Sequence, residues 1–142
     1  MLKEVQVLAK DVMKPSVKVI HFDRPVREAA VLMEEENCGS IPVEKNDKMI
    51  GMITDRDIAL RVVGQGKSPD KTLVSEVMSE GIHYCFEEDE IEEVVLKMTE
   101  NHHRRIPVIN KDKRLVGMVS VGDLARKGNN EKLTHKTMSG VY

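Results

Sequence analysis

Gly51-Met52-Ile53-Thr54-Asp55-Arg56-Asp57 returns toward the other end of the chain as Gly117-Met118-Val119-Ser120-Val121-Gly122-Asp123. Each copy reads as a short apolar strand running into a helix. A hydroxyl residue stands at the junction, and an Asp follows three positions later in the helix's first turn. Each copy is preceded by Ile-Pro-Val, at Ile41-Pro42-Val43 and at Ile106-Pro107-Val108. Two junctions of one chemistry are either two helix caps or two ligand sites.

Working outward, the rest of the chain repeats as well. Leu8 to Met13 and Leu73 to Met78 both end in Val-Met and read as short helical turns. The runs Val17 to Ile20 and Ile82 to Phe86 read as strands. Val26, Ala29, Ala30 and Met33 form a helical stripe, and Ile91, Val94, Val95 and Met98 repeat it at the same spacing. Asp23-Arg24-Pro25 supplies the first helix start, with Asp23 of capping type and Pro25 in the first turn. Asn37-Cys38-Gly39 is expected to stop that helix, with Gly39 in the left-handed position. Gly51, inside a strand, marks close approach of another backbone or of a ligand. One extra residue enters the second copy before Gly117. The chain is thus a tandem duplication, with repeats at residues 8–63 and 73–127, a linker at 64–72 and a polar tail at 128–142. Each repeat runs strand–helix–strand–strand–helix, an α/β (mixed α+β) class. The repeat, about sixty residues long, exceeds most solenoid periods, and two copies are too few for a solenoid. Two incomplete units completing one another about an approximate two-fold is the expected packing.

Composition narrows the function. Of 142 residues, 40% are hydrophobic and 32% charged, with no Trp, two Phe, two Tyr and nine Met. Such a core is aliphatic and Met-filled, with no aromatic platform on which bases could stack. The formal net charge of −2 leaves no electrostatic footprint for nucleic acid. His102-His103-Arg104-Arg105 is the only run that could argue otherwise. No segment approaches the ~18 apolar residues of a membrane span. Cys38 and Cys85 form no framework, and the N-terminus lacks a signal-peptide core, which points to the cytoplasm.

Thr54-x-x-Asp57 and Ser120-x-x-Asp123 match the capping box, in which hydroxyl and carboxylate satisfy each other's backbone N–H. The same geometry serves a nucleotide. Free N–H groups favour phosphate, and the Asp can accept ribose hydroxyls, as acidic residues do in dinucleotide-binding folds. Other candidates fall away. Gly64-Gln65-Gly66-Lys67-Ser68 lacks the first Gly of a phosphate loop and follows a helix. His102 and His103 are adjacent, with no further ligand nearby in sequence, so zinc is not expected. Asp89, Glu90, Glu92 and Glu93 suit a helix start. No nucleophile–base arrangement emerges, and the chain is not expected to be an enzyme.

The Val-Met before a strand, the Val-x-Glu-Ala-type helix, Ile-Pro-Val and Gly-x-x-Thr/Ser-x-x-Asp, in that order and twice, resemble the CBS domain (cystathionine β-synthase domain). Here it would be the tandem pair called a Bateman module, as in stand-alone bacterial CBS-pair proteins. The resemblance spans Leu8 to Lys127. It implies two repeats related by a pseudo-two-fold with two clefts between them, and frequent homodimerisation. It also implies a regulatory role in which AMP, ADP, ATP or S-adenosylmethionine is sensed and an unidentified protein partner responds. On that resemblance Ile41-Pro42-Val43 and Ile106-Pro107-Val108 form the adenine wall, with backbone groups reading the purine edge and apolar side chains sandwiching the ring, and Ser40 is a further ligand-binding residue. Val17 and Val19 stand opposite in repeat one, and Ile82 and Tyr84 in repeat two. Thr54 and Asp57, and Ser120 and Asp123, hold ribose and phosphate. Arg56, Arg104 and Arg105 together are expected to hold the anionic end, since guanidinium forks bridge phosphate oxygens. Gly122 offers no counterpart to Arg56, so the second pocket is expected to be the weaker, or to prefer a less charged ligand. The rival reading is an interaction scaffold whose clefts are vestigial.

Overall fold

The computed structural model describes residues 6–127, so the polar tail at 128–142 lies outside the described residues. In chain order the elements are α1 (Ala9–Val12), β1 (Ile20–His21), α2 (Val26–Glu35), β2 (Ser40–Lys45), β3 (Lys48–Thr54) and α3 (Asp55–Ile58). A π-helical turn, Ala59–Val63, follows, and then α4 (Val74–Val77), β4 (Cys85–Phe86), α5 (Ile91–Glu100), β5 (Arg105–Ile109), β6 (Leu115–Ser120) and α6 (Val121–Lys127). The class is mixed α+β, with two three-stranded sheets ordered β1-β2-β3 and β4-β5-β6. In each sheet the first pairing is parallel and the second antiparallel. The runs at Val17 and Ile82 are mostly not strand: pairing begins only at Ile20 and at Cys85.

The compact units do not coincide with the sequence repeats. One unit runs from Lys18 to Ile82, and the other joins the residues before Lys18 to those after Ile82. The leading segments have exchanged. α1 contributes Ala9 and Val12 to a core with Cys85, Val94, Ile106 and Leu124. α4 contributes Val74 and Val77 to the core of Ile20, Val26, Ile41 and Ile53. Backbone bonds fix each exchange. Lys14 and Met118 trade N–H···O bonds of 2.9 and 3.0 Å, and Met52 and Ser79 trade bonds of 3.1 and 2.8 Å. Residues 64–72 are also fastened to the Lys18–Ile82 unit. The carbonyls of Thr72 and Pro69 accept from Val26 and Arg27, and Arg27 pairs with Asp70.

This exchange explains two features of the motif strand. A Cβ on Gly51 would stand 3.0 Å from the Ser79 carbonyl, and one on Gly117 would stand 2.9 Å from that of Lys14, with a Met side chain closer still in each case. The close neighbour of each strand glycine is therefore the exchanged backbone. Pro42 and Pro107 lie on central strands, not at sheet edges as the bare motif suggested. Pro42 faces Met52, whose own N–H and C=O turn outward to Ser79, and β1 pairs only from Val43 onward. No ladder bond is lost, so the proline is tolerated.

Several local expectations are corrected. Asp23 does not cap α2. The cap position is Pro25, and Asp23 instead bonds His21 Nδ1 at 2.6 Å, which lowers the Asp23 pKa. Asn37 (φ 50°), not Gly39, takes the left-handed conformation after α2, and His102 (φ 54°) does so after α5. Asn tolerates that region well. At Gly39 a Cβ would meet the Asp55 carboxylate at 2.8 Å, a contact that the exposed Asp55 side chain would have to turn away from. The extra residue of repeat two lies in a hairpin turn. Asn46 and Asp47, both at positive φ, make the two-residue turn of repeat one. The second hairpin needs a longer turn built on Asn110, whose side-chain oxygen accepts from the Asp112 and Arg114 N–H groups.

Candidate functional site

Each junction is built inside one unit. In the Lys18–Ile82 unit, Ser40 pairs with Thr54 across β2 and β3, and Asp57 follows in the first turn of α3. In the other unit, Arg105 pairs with Ser120 across β5 and β6, and Asp123 follows in α6. The chain bends identically at both: the Asp55 N–H donates to Gly39 O at 2.9 Å, and the Val121 N–H donates to Arg104 O at 3.2 Å.

Both capping boxes are complete. Thr54 Oγ1 accepts from the Asp57 N–H at 3.0 Å, while Asp57 Oδ2 accepts from the Thr54 N–H at 2.9 Å. Ser120 and Asp123 repeat the pattern at 3.1 and 2.9 Å. Asp57 is 7% exposed and Asp123 1%. A buried carboxylate must have partners for its remaining lone pairs, and the two copies find different ones. Asp57 Oδ1 accepts from the Ser79 hydroxyl at 3.1 Å, with Arg61 Nη1 at 3.9 Å. That Arg61 nitrogen donates mainly to the carbonyls of Val77 and Met78, at 3.0 and 3.2 Å. Asp123 Oδ1 accepts from Arg126 Nη2 at 2.7 Å.

The remaining expected residues fall around these junctions unevenly. Ile41 and Ile106 are buried core residues, so what they leave for a ligand is backbone, not side chain. Pro42 and Pro107 are buried too. Val17, Val19, Ile82 and Tyr84 are half-buried. Val17 and Tyr84 belong to one unit, and Val19 and Ile82 to the other. Arg56 and Arg104 are exposed, and Arg105 is half-buried.

Sequence reasoning passed over Ser79, which needed the exchange to be known, and Arg126, although its spacing of three from Asp123 was visible. It also passed over His83, whose ring lies 5.3 Å from that of His103. Burial, and secondarily His83 and His102, push the His103 pKa down. Among the described residues, no group of three or more His, Cys, Asp or Glu is arranged to hold a metal ion. Among them, too, no helix is long and apolar enough to cross a membrane.

Comparison with known proteins agrees with this geometry. The family model for the CBS domain matches twice, at residues 9–64 and 74–129. The CBS domain-containing protein YhcV of Bacillus subtilis is 40% identical over 116 residues, covering 82% of this chain and 81% of its own. The crystal structure of Hypoxic Response Protein I with two coordinated zinc ions is 33% identical with a TM-score of 0.78, and the match covers 84% of this chain and 98% of that one. The CBS domain pair of protein MJ0100, in complex with 5′-methylthioadenosine and S-adenosyl-L-methionine, is 25% identical with a TM-score of 0.75, covering 88% and 98%.

Proposed function

The chain belongs to the CBS-domain family, and on that footing we propose that it is a cytoplasmic regulatory protein, not an enzyme, that senses an adenosine-type ligand. AMP, ADP, ATP or S-adenosylmethionine binds at the Thr54/Asp57 and Ser120/Asp123 junctions and shifts the conformation offered to a protein partner. The working form is a homodimer. The observation that carries this reading is the duplicated buried Asp, held one turn beyond a β-strand junction. The adenosine ligands of the MJ0100 pair support it by likeness.

At Asp57 the exchange of partners is simple. A ribose hydroxyl would replace the Ser79 hydroxyl on Oδ1, one neutral donor for another, so the hydrogen-bond count is preserved. A ligand moves a conformational equilibrium only by binding its two states differently. Ser79 follows α4, whose last carbonyls hold Arg61, so releasing Ser79 would loosen that segment.

Thermal unfolding with AMP, ADP, ATP, S-adenosylmethionine and NAD in turn tests the reading. A ligand at about 100 times its dissociation constant stabilises by about 2.7 kcal/mol, several degrees in Tm. No shift with any of them sinks the proposal. Asp57→Ala and Asp123→Ala, made separately, then identify the junction in use.

One observation favours the scaffold reading: both oxygens of both carboxylates already have protein partners. If the junctions are only caps, each Asp→Ala costs about 1 kcal/mol and changes no ligand response.

A further inference from the structure

The duplication makes the two junctions comparable residue by residue, and they differ in how the basic group one turn beyond the Asp engages it. Repeat one has Arg56 just before its Asp and Leu60 three residues after it, whereas repeat two has Gly122 before and Arg126 after. Repeat one also carries Arg61 a turn after its Asp, but Arg61 Nη1 stands 3.9 Å from Asp57 Oδ1 and donates to the carbonyls of Val77 and Met78. A Cβ on Gly122 would lie 3.3 Å from Arg126 Nη1 and 3.6 Å from Ser120 Oγ, so the guanidinium lies beside the backbone of the junction. Its Nη2 donates to Asp123 Oδ1 at 2.7 Å. The Arg126 side chain is 61% exposed and that of Asp123 1%, so the acid is fixed and the base can swing.

We propose that Arg126 is the specificity-determining residue of the second junction, a latch on Asp123 that yields to a ribose only when an anionic group of the same ligand takes over the guanidinium. The proposal rests on the adenosine reading above. A ribose hydroxyl alone would exchange a charge-assisted hydrogen bond for a neutral one roughly half as strong, with no compensation. A nucleoside phosphate offers the displaced fork a bidentate anion. The backbone of Arg105 pairs with Ser120 in register, and the Arg104 carbonyl accepts from the Val121 N–H, so two further basic residues join the chain at this junction. The second junction therefore selects nucleoside mono- or polyphosphates against uncharged adenosine. Asp57, whose Oδ1 accepts from the Ser79 hydroxyl and has Arg61 no closer than 3.9 Å, gives up no direct guanidinium bond and makes no such demand. This reverses the preference for a less charged ligand expected of the second pocket from Arg56 alone.

Calorimetric titration of AMP and adenosine into the Asp57→Asn protein isolates the second junction, because Asn keeps a capping oxygen but loses the charge. AMP is expected to bind at least about tenfold more tightly than adenosine, the size of one lost charge-assisted bond. Adding Arg126→Met should weaken AMP, tighten adenosine and collapse the ratio, while Arg126→Lys should restore part of it. A ratio unchanged by Arg126→Met overturns the latch, as does wild-type protein that binds AMP while Asp57→Asn does not. If wild-type protein binds neither ligand nor any other nucleotide, the adenosine reading itself fails and the latch falls with it.

Discussion

Val12→Asp is expected to unfold the unit built around β4-β5-β6 while sparing the Lys18–Ile82 unit, which holds the rest of its own repeat. Val12 is fully buried in the cluster of Cys85, Val94, Ile106 and Leu124. An unpaired carboxylate there costs several kcal/mol or forces its own protonation. Either outcome is large against a total stability of about 5–15 kcal/mol. Two-dimensional amide NMR reads the result directly. Dispersion should collapse at Ile106, Val108 and Val119 before it does at Ile41, Val43 and Ile53. Val77→Asp should do the reverse, since Val77 belongs to the other core. If Val12→Asp instead disrupts Ile41, Val43 and Ile53 first, the exchange of leading segments is wrong.

Gly117→Val should be the next most damaging change. Its Cβ would meet the Lys14 carbonyl at 2.9 Å and the Met13 side chain more closely still. Met13 can move, but the backbone oxygen is held by the reciprocal Lys14–Met118 bonds. Overpacking of this kind costs about 1–3 kcal/mol, and a β-branched side chain should reach the upper end. The urea midpoint should fall accordingly with its slope unchanged. Pairing the milder Gly117→Ala with Met13→Ala should cost less than the sum of the singles, because the two residues share a contact. Strict additivity would place the clash elsewhere.

What could be read from the sequence was local or repeated. The capping boxes needed only a hydroxyl and an Asp three residues apart. The duplication announced itself by its order of motifs, and both appear in the fold as read. The exchange was hidden by the duplication itself. Leu8 to Met13 and Leu73 to Met78 present the same apolar pattern, so either segment could complete either sheet, and sequence offers nothing to choose between them. Gly51 was correctly read as a close approach, but the neighbour could not be named until Ser79 was placed. Asp23 looked like a cap because Pro25 looked helical. In fact the helix starts one residue later, and Asp23 turns to His21. At the site, Ile41 and Ile106 were expected to face a ligand, yet the pleat directs them into the cores. Arg56 drew attention by adjacency to Asp57, whereas Arg126 acts from a turn away through a side chain whose direction only coordinates reveal.

An adenosine-type ligand bound at the two Asp junctions would touch the backbone turns that carry them. Amide hydrogen exchange, with and without saturating AMP, tests this binding at the residues concerned. Slower exchange is expected at Thr54 to Asp57, at Ser120 to Asp123, or at both, because a ligand seated on these carboxylates suppresses local opening of the turns that present them. Protection elsewhere, with both junctions unchanged, would contradict it.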